Sequence, residues 1–490
     1  MGFQIKTGLP SWVAPVLGMV ILSAITAILL YSLADIAVSW DMFALVGVIL
    51  MIFALLCGSL TPGTFHRWKI PLLLWWILLV SEEVFSRFST IEQALKNQFM
   101  FSAYSEAVIW LVVLMVLSIY TLGDRQYLRT IWSGSGKLLL LFGFVCLLSC
   151  VYTPQPLFAI AWAFKLLLAV LVMQACKDHW AGIEEISQFL RVTMWAYAFL
   201  VIAPLLRALL NPSQAFSEGR LSQIASPTGL ALAAGTLFLL ALMHYSLVRS
   251  KASALVAALG LGVMLFSGGK TGLAGGIVSA ILFFVLQRKF GAVIRLVAAA
   301  LVLGVVIFLT TPVAQYFELY QESGQLATAS GRFDLWSGAI PAIMGSPIWG
   351  HGYLSSRFVA INTESVSWDA GHMHNGFLEV LYNSGVIGFV FVVLMQVVIV
   401  RHLIRAIRHY ASTDPQSYRV AVGCLAIYTN LLINGMFNAS FGGRPEAAFL
   451  AMLALVIVAE VLAKATYSAR VEQPVIGRST VLQMEGRGIV

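Results

Sequence analysis

The sequence GHMHNGFLEVLYNSGVIGF (Gly371–Phe389) leads from a polar segment into a long apolar run, and SGRFDLWSGAIPAIMGSPIWGHGYLSS (Ser330–Ser356) lies just before it. Histidines, arginines and aromatic residues are concentrated in these two segments. Most of the remaining chain is apolar, and no other polar segment between its apolar runs is as long. We therefore expect any chemistry to take place there.

The composition is that of a membrane protein. Of the 490 residues, 60% are hydrophobic and only 11% are charged, whereas soluble domains average about 25% charged residues. The formal net charge of +8 does not indicate nucleic-acid binding, because the basic residues are spread between apolar runs. The five cysteines have neither the spacing nor the neighbours of a disulfide or a zinc site. We expect a membrane domain with no disulfide and no zinc site held by cysteines.

Apolar runs long enough to cross a bilayer, about 20 residues each, predict an all-α polytopic protein with about 14 transmembrane helices. The run at 69–86 is the weakest, since its purely apolar part ends early, before Ser81. The first run, after Lys6, is longer than the core of a signal peptide, so we expect it to be retained. The predicted spans are 12–38, 42–60, 69–86, 98–121, 136–152, 156–175, 184–210, 226–248, 252–268, 271–287, 291–312, 376–400, 417–436 and 445–464.

The distribution of basic residues predicts the orientation. With the N-terminus inside and 69–86 counted as a span, most lysines and arginines fall in inner loops, as the positive-inside rule requires. Both termini are then cytoplasmic, and residues 1–465 form one polytopic domain. Residues 313–375 form a large loop with short helices on the outer side of the membrane. The polar tail at 466–490 is expected to lack fixed structure.

His374 is the candidate catalytic residue. It lies at the predicted membrane surface, and an imidazole with an ordinary pKa of about 6.5 can act as a general base toward a hydroxyl group. A capping or interfacial histidine is the alternative. Asn375 could orient the ring or bind a sugar hydroxyl, although asparagine is also a good helix N-cap. A zinc site that adds His351, His372 and Asp369 is a weaker alternative, because His-x-His alone is not specific.

Four cations are predicted on the outer side of the membrane, where such residues are rare, and they suggest an anionic partner such as a lipid-linked diphosphate. They are Arg220, Lys270, Arg332 and Arg444. Guanidinium groups bind phosphate oxygens in pairs, and an ammonium group acts as a point charge. Alternatively, each cation could reach lipid headgroups or pair with a carboxylate such as Asp334, Glu322 or Glu446.

Lys165 lies near the middle of the span 156–175. A lysine at that depth must face the protein interior or a water-filled cavity, because exposure to hydrocarbon is costly. It could help to hold a diphosphate or pair with a carboxylate. In the polar segment, Phe333, Trp336 and Ile340 recur at helical spacing, which predicts an amphipathic helix over 331–343 that lies on the membrane.

His374-Asn375, followed after nine residues by Gly385-Val-Ile-Gly388, resembles the His-Asn, nine-residue, Gly-x-x-Gly motif of the O-antigen ligase and polymerase superfamily. Ser330–Trp336, with Gly350-His-Gly352 after it, resembles the central outer loop of the same family, closest to the ExoQ-like polymerases of secreted polysaccharides. Glu218-Gly-Arg220 and the following Ser226–Gly229 resemble the preceding outer loop. The similarity extends over roughly 215–390, and the rest of the chain is similar as a pattern of spans.

The resemblance implies a membrane glycosyltransferase of the GT-C kind that needs neither a metal nor a nucleotide sugar. Its donor would be an undecaprenyl-diphosphate-linked oligosaccharide and its acceptor a glycan, both at the periplasmic face. His374 would deprotonate the acceptor hydroxyl, and loss of the lipid diphosphate would invert the anomeric carbon. Arg220 and Lys270 would hold that diphosphate, and Arg332 would line the same cavity. Supporting roles are expected of His372, Asn375, Arg444 and Lys165.

Three functions fit these features. The first, favoured by the resemblance of Ser330–Trp336, is a polymerase of lipid-linked repeat units, with a chain-length regulator as a potential partner. The second is a ligase that transfers glycan to lipid A core, which differs only in the acceptor. The third is a lipid-linked sugar flippase, but transporters usually show two related halves, and this chain is asymmetric.

Overall fold

A computed structural model describes residues 69–85, 101–121, 127, 130–180, 182–210, 216–217, 220–221, 226–310, 332–358, 361–362, 367–368 and 372–471 of the chain. The predicted spans at 12–38 and 42–60 lie outside these residues, as do much of the predicted loop at 313–375 and the tail beyond 471. The single domain over 1–465 and the disordered tail therefore stay predictions.

Helices dominate the described residues. They are α1 (Lys69–Phe85), α2 (Phe101–Thr121), α3 (Ser135–Ser149), α4 (Pro156–Lys177), α5 (Ile183–Leu210), α6 (Pro227–Val248), α7 (Lys251–Phe266), α8 (Lys270–Leu286), α9 (Phe290–Thr310), α10 (Arg332–Gly345), α11 (Gly376–Thr413), α12 (Pro415–Phe437) and α13 (Ala447–Val471). Short 3-10 turns cover Cys150–Tyr152 and Ser355–Phe358. Two antiparallel strand pairs join β1 (Phe216–Ser217) to β2 (Arg220–Leu221) and β3 (Ile361–Asn362) to β4 (Ser367–Trp368).

Each predicted span that falls within the described residues corresponds to a helix. Among these residues, 7 helical segments are long and apolar enough to cross a membrane, namely α3 with its 3-10 extension, α4, α5, α6, α11, α12 and α13. Shorter apolar helices form at α1, α2, α7, α8 and α9. The all-α polytopic fold class is confirmed, and the number of about 14 spans stays a prediction.

The weakest predicted span, α1, is among the most enclosed helices. The side chains of Trp75, Leu78, Leu79 and Val80 are fully buried, and α1 packs against α2, α4 and α5. The indole Nε1 of Trp75 donates to the hydroxyl of Thr193 on α5, 3.1 Å away. A helix surrounded by protein contacts little lipid, so a short apolar run suffices there.

Helix α6 is the centre of the second half of the bundle, where it packs against α5, α7, α8 and α12. Small residues permit the close approach. A β-carbon at Gly260 of α7 would lie 2.9 Å from the carbonyl oxygen of Ala234, and one at Gly272 of α8 would collide with Ala231. Such contacts are typical of membrane helices, since lipid provides no hydrophobic drive for their association.

Helix α11 is longer than its predicted span of 376–400. It has 38 residues with a kink at Gly385, and the part after the kink, residues 386–413, is about 42 Å long at 1.5 Å per residue, which exceeds a hydrocarbon core of about 30 Å. The extension buries Leu403, Ala406 and Tyr410 on one face, while Arg401 and Arg408 are exposed. The mean hydropathy falls over this amphipathic extension, so the predicted span ended at residue 400 although the helix continues to Thr413.

One end of the bundle collects the connecting segments. The Tyr152 hydroxyl, after α3, donates to the Trp349 carbonyl at 2.8 Å, and the Tyr353 hydroxyl donates to the Gly443 carbonyl, between α12 and α13, at 2.9 Å. We call this end, formed by residues 150–155, 346–358, 372–376 and 438–446, the loop end.

Candidate active site

Helix α11 begins at the loop end, and Asn375 caps it. The Asn375 side-chain oxygen accepts hydrogen bonds from the backbone N–H groups of Phe377 at 2.9 Å and Leu378 at 3.1 Å. The first backbone N–H groups of a helix have no partner within the helix, and Asn375 accepts hydrogen bonds from two of them. The capping alternative for Asn375 is confirmed, and a role toward a sugar hydroxyl stays a prediction.

The residue before the cap, His374, has a left-handed backbone with φ 48°, which is uncommon for a residue other than glycine. Its ring is half-buried and lies against the ring of His372, with the centroids 4.0 Å apart. The backbone N–H of His374 donates to Nδ1 of His372 at 3.3 Å. Nδ1 of His372 therefore carries no proton, and the structure places the two histidines together as one pair.

Both imidazoles of the pair are neutral at physiological pH. Burial lowers the pKa of His374 to about 2, and the neighbouring His372 and the charge of Arg332 add to the effect. Burial also lowers the pKa of His372 to about 3, with Arg357, Arg444 and Arg332 contributing in that order. Three guanidinium groups thus lie near the histidine pair, and an anion placed among them would be strongly favoured.

Arg332 begins α10, which packs beside α11 through Leu335, Ala339 and Ile343. The helix predicted over 331–343 is confirmed, although its packing face differs from the predicted stripe. Of that stripe, Phe333 is 52% and Ile340 is 53% exposed. That this helix lies on the membrane stays a prediction.

Arg444 forms an ion pair with Glu446, which is one of the alternatives that the sequence left open. Its Nη2 lies 2.9 Å from the Glu446 carboxylate, and Nη2 of Arg357 lies 3.9 Å from the same oxygen. The Arg444 guanidinium also lies over the Trp162 ring, 5.2 Å from its centroid. Because one carboxylate lies between two guanidinium groups, this part of the site keeps a net positive charge.

Lys165 faces the protein interior, as expected, and is fully buried. Its Nζ lies over the rings of Trp162 and Trp110, 5.0 and 5.3 Å from their centroids. Trp162 therefore interacts with Lys165 and with Arg444. Cation–π contacts of this kind stabilise a desolvated charge, so Trp162 links the buried Lys165 to Arg444.

Lys270 is the first residue of α8, which packs against α6 and α12. Gly275 of α8 meets Asn434 near the end of α12, so Lys270 lies toward the loop end. Arg220 lies in β2, opposite Ser217 of β1. That these two residues bind the diphosphate stays a prediction.

Buried polar residues of α11 form a network that the sequence analysis did not identify. Both carboxylate oxygens of Glu379 accept hydrogen bonds, one from the Met373 N–H at 2.7 Å and the other from the Ser356 hydroxyl and the Asn383 amide. The Asn383 side-chain oxygen accepts from the Ser356 N–H at 3.0 Å. The signal was a polar pair at i and i+4, Glu379 and Asn383, within an apolar run, because such residues need buried partners.

The first glycine of the Gly-x-x-Gly motif marks a kink in α11. Gly385 has φ 60°, and the segment 347–352 lies in the gap. Tyr382 and Asn383 carbonyls accept from the N–H groups of His351 at 2.8 Å and Gly352 at 2.9 Å. Val386 and Ile387, which would donate to those carbonyls in a regular helix, donate instead to the carbonyls of Pro347 and Ile348.

The structure gives His351 a structural environment. Its Nε2 lies 2.8 Å from the Ala342 carbonyl oxygen, and its ring stacks on Tyr382 with the centroids 4.5 Å apart. Within the part of the chain that the structure describes, no three His, Cys, Asp or Glu residues are grouped as metal ligands would be. Asp369 lies outside that part.

Comparison with known proteins agrees with the resemblance read from the motifs. Residues 254–393 match a family model described as O-Antigen ligase, and this match includes α10, the histidine pair and the kink of α11. An uncharacterized protein of Haemophilus influenzae is 22% identical over 192 residues, which are 34% of this chain and 47% of that protein. This chain thus spans about half the length of that curated relative. The family match supports the O-antigen ligase and polymerase superfamily, while closeness to the ExoQ-like group stays a prediction.

Proposed function

We propose that this chain, whose residues 254–393 match the O-antigen ligase family, is a membrane glycosyltransferase that polymerises undecaprenyl-diphosphate-linked repeat units at the periplasmic face of a bacterial inner membrane. One observation carries the proposal: a neutral histidine pair lies within electrostatic range of three guanidinium groups, before the N-terminus of a long apolar helix. A base and an anion-binding surface in one place are what transfer from a lipid diphosphate requires.

In the proposed reaction, a ring nitrogen of His374 accepts the proton of an acceptor hydroxyl. The acceptor oxygen forms a bond to the anomeric carbon of the donor as the bond from that carbon to the diphosphate oxygen breaks. The electron pair of the broken bond leaves with the lipid diphosphate. Attack from the side opposite the leaving group inverts the anomeric configuration. The reaction balances without a metal or an external cofactor.

Donor binding would also activate the base. A histidine with a pKa of about 2 is neutral but accepts protons poorly, whereas an effective general base has a pKa near the working pH. The negative charges of a bound diphosphate would offset Arg332 and raise the pKa of His374. The base would therefore become effective when the donor is in place.

The cations divide the work in this proposal. Arg332 is the cation whose charge lowers the pKa of His374. Arg220 and Lys270 hold the leaving diphosphate from the same end of the bundle. Arg444 and Lys165, which share the Trp162 ring, extend the positive potential into the bundle. Preorganised charges of this kind stabilise a leaving anion without reorganisation during the reaction.

The alternative is a ligase that transfers the glycan to lipid A core, which the description of the matching family favours. The acceptor alone distinguishes the two. Protein in lipid nanodiscs is given lipid-linked repeat units, with and without lipid A core, in the presence of EDTA. A polymerase lengthens the lipid-linked glycan without lipid A core, whereas a ligase forms product only when the core is present.

His374→Ala tests the base, with His409→Ala as the control, since His409 lies near the opposite end of α11. We expect His374→Ala to lower the rate of transfer by at least about 100-fold and His409→Ala to leave it unchanged. Equal rates in His374→Ala and the parent protein would refute the assignment. Movement of lipid-linked sugar across the bilayer without a new glycosidic bond would instead indicate a flippase.

A further inference from the structure

Met373, between the two histidines, is held on three sides. Its N–H donates to Glu379 at 2.7 Å, and its carbonyl accepts from the indole N–H of Trp336 on α10 at 3.0 Å. Its side chain is 1% exposed and packs with Ala339 and Tyr382, between α10 and α11. The histidine pair is therefore attached to the bundle through the residue between its members.

The orientation of the Glu379 network follows from its donors. A backbone N–H can only donate, so the side-chain atom of Asn383 that faces the Ser356 N–H must be the oxygen. The amide nitrogen of Asn383 must then face Glu379 and donate to it. The Met373 N–H likewise can only donate. Both oxygens of Glu379 must therefore accept, which a carboxylate does and an apolar side chain does not.

The left-handed backbone of His374 makes this support necessary. With φ 48°, His374 has a conformation that costs of order 1–3 kcal/mol and persists only where the surrounding structure determines it. The hydrogen bond to Glu379 is immediately N-terminal to this residue, and the Asn375 cap is immediately C-terminal to it. Without the hydrogen bond from Met373 to Glu379, the backbone at His374 can relax to a conformation with negative φ.

We propose that Glu379 is a positioning residue, whose carboxylate holds Met373 and thereby fixes the His372–His374 pair in the geometry needed for proton transfer. Its effect on the rate rests on the proposed function, but its effect on the pair does not. Glu379 does not contact substrate in this proposal. Its removal should lower kcat rather than weaken donor binding, since a displacement of about 1 Å can cost about 100-fold in rate.

The test is a graded series at this position. Glu379→Met keeps the length of the side chain and removes both acceptors, whereas Glu379→Gln keeps one oxygen that can reach the Met373 N–H. We expect kcat to fall by about 100-fold in the Met variant and by about 3- to 10-fold in the Gln variant, with KM for the lipid-linked donor changed less than about twofold. Ser356→Ala, which leaves both Glu379 oxygens in place, should reduce kcat least.

A second measurement does not depend on activity. Diethylpyrocarbonate modifies neutral imidazole, so the rate of modification at His372 and His374, followed by mass spectrometry, reports how firmly the pair is held. We expect modification to be faster in Glu379→Met, intermediate in Glu379→Gln, and unchanged at His409. Glu460→Gln is the matched control, since Glu460 is also buried and accepts a backbone N–H, that of Ser135 at 2.7 Å. It should leave both readouts as in the parent.

Two results would overturn the proposal: modification rates at the pair that equal those of the parent in both Glu379 variants, or the same increase in Glu460→Gln. A parent protein with no transferase activity would refute the proposed function alone. The modification rates would then still decide whether Glu379 positions the pair.

Discussion

The backbone N–H of His351 donates to the carbonyl of Tyr382, 2.8 Å away, at the point where α11 is kinked. A segment outside the helix thereby replaces the bond that the helix itself would have made, and Gly385, at φ 60°, permits this geometry. The kink and the polar segment depend on each other. Backbone hydrogen bonding thus accounts for the first glycine of the motif.

Gly385→Ala should destabilise the protein by more than about 2 kcal/mol, because a β-carbon is strained at this φ and would collide with the Ile348 carbonyl. Thermal unfolding in detergent measures the effect. Gly262→Ala is the control, since a β-carbon there meets nothing within 4 Å, and alanine is favoured over glycine in a helix by about 1 kcal/mol. Equal melting temperatures of the two variants would contradict the role of the kink.

Asn375→Ala should cost about 1 kcal/mol of stability through loss of the N-cap, whereas Asn375→Asp should keep it, because aspartate caps equally well. We expect the Asp variant to retain the melting temperature of the parent, measured by thermal unfolding in detergent. A melting temperature as low in the Asp variant as in the Ala variant would contradict the cap.

The histidine pair should make the protein less stable in acid. The pKa of each imidazole is lowered in the folded state, to about 2 for His374 and about 3 for His372, against about 6.5 in the unfolded chain. Below about pH 6.5 the unfolded chain binds more protons, so stability falls as the pH falls. The melting temperature measured from pH 8 to pH 4 should decline less steeply in His372→Asn, and an unchanged slope would contradict the burial of His372.

The ion pairs opposite the loop end should differ in strength according to burial. Glu460 pairs with Lys177 at 3.3 Å and with Lys464, whose side chain is 58% exposed. Glu460→Gln leaves the part-buried Lys177 without a charged partner and should cost more than about 1 kcal/mol. Lys464→Met removes an exposed partner and should cost less than about 1 kcal/mol. Thermal unfolding would contradict this order if Lys464→Met were the more damaging change.

The helices could be predicted because a bilayer imposes a simple rule on sequence. Backbone groups in hydrocarbon must be satisfied within the segment, so an apolar run of sufficient length becomes a helix. The predicted span 156–175 corresponds to α4, and Lys165 within it faces inward for the same reason. Where the surroundings are protein, the rule is weaker. Helix α1 is short but enclosed, and α11 continues beyond its apolar part because its extension packs on one side.

The site was only partly readable in advance. His374 and Asn375 could be named from their motif and the cations from their predicted position on the outer side of the membrane, but Glu379 was missed inside an apolar run. The sequence analysis could not tell whether Asn375 caps a helix or binds a sugar, since the same side chain does both. The structure shows the cap, through two hydrogen bonds to the first turn of α11.

The sequence by itself determined which parts of this chain are helices in an apolar environment and where its polar chemistry is concentrated, because hydrophobicity is a property of each segment alone. Only the tertiary structure decided that Glu379 holds Met373, that 347–352 completes the kink at Gly385, and that Trp162 joins Lys165 to Arg444. These contacts depend on how separate elements pack. A buried polar group records in the sequence that it needs a partner, but not which partner it finds.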